Sequence, residues 1–448
     1  MTKIIMHKII ERPSDLQAFR KSGPWVLVCG RRKTGKTFFV KQFLDWDEYF
    51  FVKRGGYSLL DEEGRELSYP TFLEIFRREF PEKCFVIDEF QRLPQDFFDF
   101  LHQMGIKGRL IAITSALSFS KKMLDSSSPL LGLFSILSLG LIDERDILLG
   151  LSKELKGKEL VEAAVYLREP WLIPRFEGKT VEFLSSLLYE QRGAIKALIG
   201  EIFTEEEREL SLIYQGILEA VAMGKRVSTE ISSHLYSLGL LPKDNPGAIQ
   251  RYLDVLVETN LLEKIPVYGS KKFVYRHVSP LLDLHFYLEG KYSYTETEVP
   301  EQFVLQVVQQ KLPLHVEEFF FSLFSKLFGL RKMIIEEPPL DIALFEFKRL
   351  KVVGEVKWGK VEKEELLKIA ERLRKFDAER YIIVPEGGMG LEGIKVLDVR
   401  GILESLKSVS TRDSVPDSGD AHSNFSILNL RGQSGSRDNA NANGIAWW

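Results

Sequence analysis

Residues Gly30-Arg31-Arg32-Lys33-Thr34-Gly35-Lys36-Thr37 satisfy the pattern G-x-x-x-x-G-K-[ST]. They lie between the apolar run WVLVC and the helical stretch TFFVKQFL, so a buried strand must feed a tight loop that opens a helix. Glycines let such a loop curl until its backbone N–H groups point inward, and the helix N-terminus adds the positive end of its dipole. A chain with this feature contains an α/β unit whose first turn is shaped for a polyphosphate.

The loop residues Gly30, Arg31, Arg32, Lys33, Thr34, Gly35, Lys36 and Thr37 are therefore the candidate nucleotide-binding set. Lys36 is expected to reach the β- and γ-phosphates of ATP and Thr37 to ligate Mg²⁺. A second apolar run, Phe85-Val86-Ile87, ends in Asp88-Glu89. That placement sets Asp88 at the metal's water shell and Glu89 beside an attacking water. A third run, Arg109 to Ile113, ends in Thr114-Ser115, and Ser115 is the candidate γ-phosphate sensor, because ligands of open α/β sheets bind at strand carboxyl ends.

The runs WVLVCG, EYFFVK, KCFVIDEF, RLIAITSA and FSILSLGL alternate with helical stretches, the rhythm of a parallel sheet over residues 1–145. Residues 146–205 have helical periodicity broken at Pro170 and Pro174, as expected of a helical lid. Residues 206–292 run helix, helix, Pro/Asn/Gly turn, helix and two short strands around Gly269-Ser270, the order of a winged helix. A third domain is expected over residues 300–405, opening with a helix at Val316 to Phe328. Residues 408–448 contain no Lys and are rich in Ser, Asn, Asp and Gly, which predicts a disordered or non-native tail.

In the winged-helix segment, Gln250 and Arg251 lie near the start of the third helix, where base edges are read. Lys264, Tyr268, Lys271, Lys272 and Arg276 are candidate phosphate contacts, with Lys271 and Lys272 at the hairpin turn. Between Asn245 and His277 there are five Lys/Arg against three acids, a net of +2. So small an excess gives weak, salt-sensitive DNA binding, and a protein-docking module fits the same pattern. Over the whole chain 61 basic residues face 64 acidic ones, so no global basic field draws the molecule to nucleic acid.

Further on, Asp341 opens one strand, and Glu355 and Lys357 stand two apart on the next, leaving on the same face. Asp341 and Glu355 are candidate Mg²⁺ ligands, and Lys357 can orient or deprotonate a water attacking a phosphodiester. An ordinary surface hairpin would show the same alternation of charge. Cys29 and Cys84 are the only cysteines and lack metal-site spacing, which predicts a reducing interior. The apolar run Pro129 to Ile142 is shorter than the roughly 20 residues of a spanning helix. With no secretory pattern at MTKIIMHKII, a cytoplasmic chain without membrane contact is expected.

GRRKTGKT, FVIDEF, AITSALS and the winged-helix segment together resemble the archaeal P-loop ATPase family, a branch of the AAA-like and STAND-like NTPases, over most of residues 1–405. The resemblance implies an ATPase module, a helical lid, a winged helix and a nuclease-like domain. The Asp341, Glu355, Lys357 arrangement is similar to the PD-(D/E)xK, or restriction-endonuclease-like, core, in which a helical Glu completes the site; Glu317 or Glu318 is that residue here. Two positions depart from the ATPase pattern. Gly132-Leu133 stands where the family often has Gly-Arg, so no arginine finger for an oligomer is evident, and Leu167-Arg168-Glu169-Pro170 replaces the lid's Gly-Gly-x-Pro. The expected fold is thus a P-loop NTPase parallel sheet with helical lid, winged helix and restriction-endonuclease-like α/β domain. The expected function is Mg²⁺-dependent ATP hydrolysis coupled to DNA. The alternatives are a slow ATP-bound signalling switch with an inactive nuclease-like domain, and a metal-dependent DNase gated by ATP.

Overall fold

The structure, a computed structural model, describes residues 9–123, 125–126, 128–205, 211–387 and 390–412. After α1 (Pro13–Arg20), β1 (Trp25–Cys29) runs into the loop and then α2 (Lys36–Phe43). The sheet is completed by β2 (Glu48–Val52), β3 (Ser58–Leu60), β4 (Glu66–Ser68), β5 (Cys84–Asp88), β6 (Arg109–Thr114) and β7 (Ser135–Ser138). α3 (Tyr69–Glu79), α4 (Gln95–Met104) and α5 (Leu117–Met123) lie between these strands in the chain.

The sheet has seven strands in the order β4-β3-β2-β5-β6-β1-β7. β2, β5, β6, β1 and β7 are parallel, and β3 and β4 add an antiparallel hairpin at one edge that the sequence pattern did not announce. All five residues of β1 are buried, as a parallel strand covered on both faces must be. One face packs an aromatic cluster that includes Phe72, Phe76, Phe80 and Phe97, with Phe76 and Phe80 stacked at 4.3 Å. β6 lies between β1 and β5, so the loop after β1 and the acids ending β5 look across the carboxyl end of one intervening strand.

The next helices are α6 (Glu144–Leu151), α7 (Gly157–Leu167), α8 (Thr180–Glu190) and α9 (Arg192–Glu205), with a 3-10 turn at Pro170–Arg175. α10 (Leu212–Ala222), α11 (Ser228–Ser237) and α12 (Gln250–Glu258) precede the antiparallel hairpin β8 (Leu262–Pro266) and β9 (Phe273–His277), then α13 (Pro280–Tyr292).

α14 (Glu301–Phe328) starts well before the predicted Val316 and passes through Pro313. Pro313 and Gln309 are both exposed, so the carbonyl that the missing N–H would have satisfied faces water. Beyond it, β10 (Arg331–Lys332), β11 (Ile342–Glu346), β12 (Arg349–Val356), β13 (Glu379–Ile383) and β14 (Lys395–Leu397) form a sheet in that order, with α15 (Lys363–Leu373) joining the parallel β12 and β13. α16 (Val399–Arg412) carries helix past residue 408; the rest of the expected tail, 413–448, lies outside the described residues. No helix among the described residues is long and apolar enough to cross a membrane.

The N-terminal segment is tied to α6 by Asp146, which accepts hydrogen bonds from Ser14 N at 3.1 Å and Ser14 Oγ at 2.9 Å. Burial, reinforced by Asp143 and Asp15, pushes the Asp146 carboxyl up to about 6 despite those bonds. The folded state therefore holds a proton that the unfolded chain has released, and stability is lost as pH rises from about 4 through 6. Asp146→Asn, compared with wild type by urea unfolding, is expected to gain about 2 kcal/mol on the parent between pH 4 and pH 7.

Candidate nucleotide site

The loop keeps its shape for steric reasons. A Cβ on Gly30 would stand 2.1 Å from the Leu139 carbonyl oxygen, and Gly35 has φ +85 at the N-cap of α2. Lys33, with φ 67, supplies a second left-handed turn. Thr34 is fully buried and donates from Oγ1 to the Arg31 carbonyl at 3.0 Å. Lys36 Nζ donates to the same carbonyl at 3.0 Å, so the ammonium lies against its own loop.

Across the strand ends, Asp88 Oδ2 accepts from Thr37 Oγ1 at 2.6 Å and from Tyr49 OH at 2.9 Å. Burial and the Asp88 charge push the Tyr49 hydroxyl far up, so it stays a proton donor. A hydroxyl beside a carboxylate is a pair of hard oxygen donors, the chemistry that Mg²⁺ takes, and Thr37 and Asp88 could hold it. Glu89 has φ 59, a strained value for a non-glycine residue. Its Oε2 receives Gln91 Nε2 at 2.7 Å, pairs with Arg92 at 3.0 Å and meets Ser115 Oγ at 3.4 Å. The structure thus brings Lys36, Thr37, Asp88, Glu89 and Ser115 into one cleft of about 610 Å³.

A second, largely apolar pocket of about 500 Å³ abuts it, lined among others by Ile10, Arg12, Phe38, Ile142 and Trp171, and shares Lys33, Gly35 and Phe38 with the first. Trp171 Nε1 is buried there with no hydrogen-bond partner among the described residues. Arg12 clamps the loop, donating to the Thr34 carbonyl at 2.9 Å and the Gly140 carbonyl at 3.0 Å.

Two arginines of the predicted cradle point elsewhere. The Arg31 side chain is buried in an ion pair with Glu169, just before the 3-10 turn at Pro170–Arg175, and Glu169 also accepts from Ser279 Oγ at 2.6 Å at the start of α13. Arg32 pairs with Glu201 of α9 at 2.7 Å. These side chains join the loop to the helical segments, leaving backbone groups for any phosphate. The clamp of Arg12 and the pairing of Glu169 were not legible in the sequence, because their partners lie on other elements far along the chain.

In the third helix of the central segment, Gln250 bonds Asp254 at 3.1 Å and Arg251 is exposed over the Tyr252 ring. Lys271 and Lys272 are exposed at the hairpin turn. Lys264 and Arg276 are committed to carboxylates instead, Asp254 at 3.5 Å and Glu318 at 3.6 Å, which removes them as open phosphate contacts. The Tyr268 ring packs, tilted by 30°, against Phe345 of β11 with centroids 4.8 Å apart.

In the C-terminal sheet, Ile342 pairs with Gly354, which sets Asp341 opposite Glu355. Asp341 Oδ2 accepts from the Val356 N–H at 2.8 Å, and Lys357 Nζ lies 3.7 Å from Glu355. Burial and then the Asp341 charge push Glu317 and Glu355 each up to about 7. Glu317 is thus the helical acid facing this cluster, whereas Glu318 turns to Arg226 at 3.1 Å and Arg276. Arg372 of α15, missed in the sequence, pairs with Glu355 at 2.6 Å. Among the described residues no group of three or more His, Cys, Asp or Glu is arranged to hold a metal ion.

A parallel sheet with a glycine-shaped loop at a helix N-terminus and an acid pair two strands away defines a P-loop nucleotide-binding unit. Residues 22–140 match the family model described as an AAA domain. No curated protein matches the chain. Among solved structures, the chain is similar to the Aeropyrum pernix ORC2 protein in ADPNP–ADP complexes, with 13% identity over 64% of this chain and 87% of that one, at TM-score 0.30. It is also similar to the Aeropyrum pernix ORC1 protein in complex with DNA, with 14% identity, 66% and 97% coverage and TM-score 0.26. For Drosophila ORC bound to DNA the values are 13%, 64%, 88% and 0.24.

Proposed function

We propose that the chain is a Mg²⁺-dependent ATPase whose nucleotide state is passed to a winged helix and a nuclease-like domain acting on DNA. The observation that carries it is the junction of two clefts at Gly35: a polar one holding Lys36, Thr37, Asp88, Glu89 and Ser115, and an apolar one holding Trp171. The triphosphate lies along the loop and the base enters the apolar pocket. Lys36 leaves the Arg31 carbonyl for the β- and γ-phosphates, Glu89 positions the water for in-line attack, and Ser115 contacts the γ-phosphate. Thr37 and Asp88 hold Mg²⁺, which when bound offsets charge building on the phosphate oxygens.

The route from nucleotide to the rest of the chain is the buried Arg31–Glu169–Ser279 connection, since any shift of the loop backbone displaces Arg31. The second reading, a slow switch with an inactive nuclease-like domain, is favoured by Arg372 occupying Glu355 and by Leu133 at the position where an arginine finger is expected. The test is optical. Adding Mg²⁺-ATP should change tryptophan emission and release phosphate catalytically. Among the described residues Trp171 is the only tryptophan lining the pocket, so Trp171→Phe should remove most of the emission change. An undiminished change in that variant would place the base elsewhere.

A further inference from the structure

β11 and β12 are joined by a two-residue turn, Phe347-Lys348, fixed by the pairing of Glu346 with Arg349. Phe347 has φ 54 and is 93% exposed. The first central position of so short a turn ordinarily belongs to glycine, or to asparagine or aspartate, because a Cβ is strained there. Phe347 makes no ring contact among the described residues, so neither burial nor backbone comfort accounts for it. Strain retained at an exposed aromatic is a mark of a site that acts on something outside the fold.

The charges around the ring indicate what that is. Lys348 and Arg349 are exposed, and neither has a carboxylate partner among the described residues. The same holds for Lys271 and Lys272 on the β8–β9 turn. That turn is docked on this sheet: the Tyr268 N–H donates to the Ile334 carbonyl at 2.8 Å, and the Tyr268 ring packs on Phe345, two residues before Phe347. The two hairpins are thus held as one body, each with an unpaired basic pair at its tip, and one tip carries an apolar wedge.

We infer that the β11–β12 tip is a second nucleic-acid contact, in which Lys348 and Arg349 hold phosphates of duplex DNA and Phe347 inserts between neighbouring base pairs. Basic residues on the backbone with an apolar side chain unstacking a step is the chemistry by which duplexes are wedged open. The inference rests on the DNA reading of the winged helix but invokes residues that reading does not use.

The probe is a duplex of about 25 base pairs carrying 2-aminopurine, whose fluorescence rises on unstacking, with affinity followed by anisotropy. Wild type is expected to bind and brighten it. Phe347→Gly is expected to bind about tenfold more weakly, the scale of one lost base–aromatic contact, and to abolish the brightening. Its urea midpoint should equal or exceed that of wild type, because glycine relieves the strained φ, so misfolding cannot explain the loss. Wild-type affinity and brightening in Phe347→Gly, alongside weakened binding in the Lys271→Ala/Lys272→Ala double variant, would overturn the wedge and leave the winged-helix reading standing. No binding of the duplex by the wild-type chain would overturn both.

Discussion

Replacing Lys36 with alanine is expected to lower ATP turnover by at least about a hundredfold, the usual loss when a fixed charge aimed at a developing oxyanion is removed from a sheltered cleft. The fold should survive the change. The Lys36 side chain donates to the Arg31 carbonyl, a hydrogen bond whose net contribution is about 1 kcal/mol. The loop is held independently by Arg12 on the Thr34 carbonyl and by Thr34 on the Arg31 carbonyl. Steady-state phosphate release, read beside a thermal melt, separates the two effects: turnover collapses while Tm stays within a few degrees. Turnover that survives intact would remove the cleft between α2 and β5 as the place of hydrolysis, and with it the roles of Thr37, Asp88 and Glu89.

The features legible from sequence were those whose cause is local. A loop that must curl needs glycines at fixed offsets, and the central strands β1, β5 and β6 read as short apolar runs because both their faces are covered. The hairpin of β3 and β4 was not legible. Each strand is only three residues long and half-exposed, too short for a period of two to show. The helix expected from Val316 in fact begins at Glu301, and Pro313, a residue type that usually ends a helix, sits on its solvent face while the other side is buried.

The candidate site divides along the same line. Lys36, Thr37, Asp88 and Glu89 sit at strand ends and a helix start, so their convergence follows from the strand order alone. Arg31 was assigned to the phosphate by its place in the motif, yet its side chain answers to Glu169, whose position depends on how the helices after the first sheet pack. Arg276 counted toward the net positive charge of residues 245–277, but its partner Glu318, outside that stretch, cancels it in space. Charge read along a sequence overstates what a surface offers whenever the partner lies on another element.

Removing Asp283 is expected to destabilise the chain by about 3–5 kcal/mol, the cost of leaving a buried cation without its counter-ion. Asp283 is 4% exposed; its Oδ2 meets Lys311 Nζ at 2.6 Å and His315 Nε2 at 2.9 Å. Burial alone would raise its pKa, but the His315 hydrogen bond and the His315 and Lys311 charges outweigh burial and hold the carboxyl well below its ordinary value. Lys311 has one further protein acceptor, the Ala222 carbonyl at 2.7 Å, and His315 continues to Tyr166 OH at 2.8 Å. One charge cluster therefore fastens α7, α10, α13 and α14 together, the helices lying between the nucleotide cleft and the C-terminal sheet. Asp283→Ala leaves the lysine buried and unpaired. The double variant Asp283→Ala/Lys311→Met removes both charges and should recover a substantial part of the loss, because the desolvation penalty goes with the ions. Urea unfolding of the wild type, both single variants and the double variant gives the coupling directly. Additive losses would show that the two side chains contribute separately and that the junction is held by its apolar contacts alone.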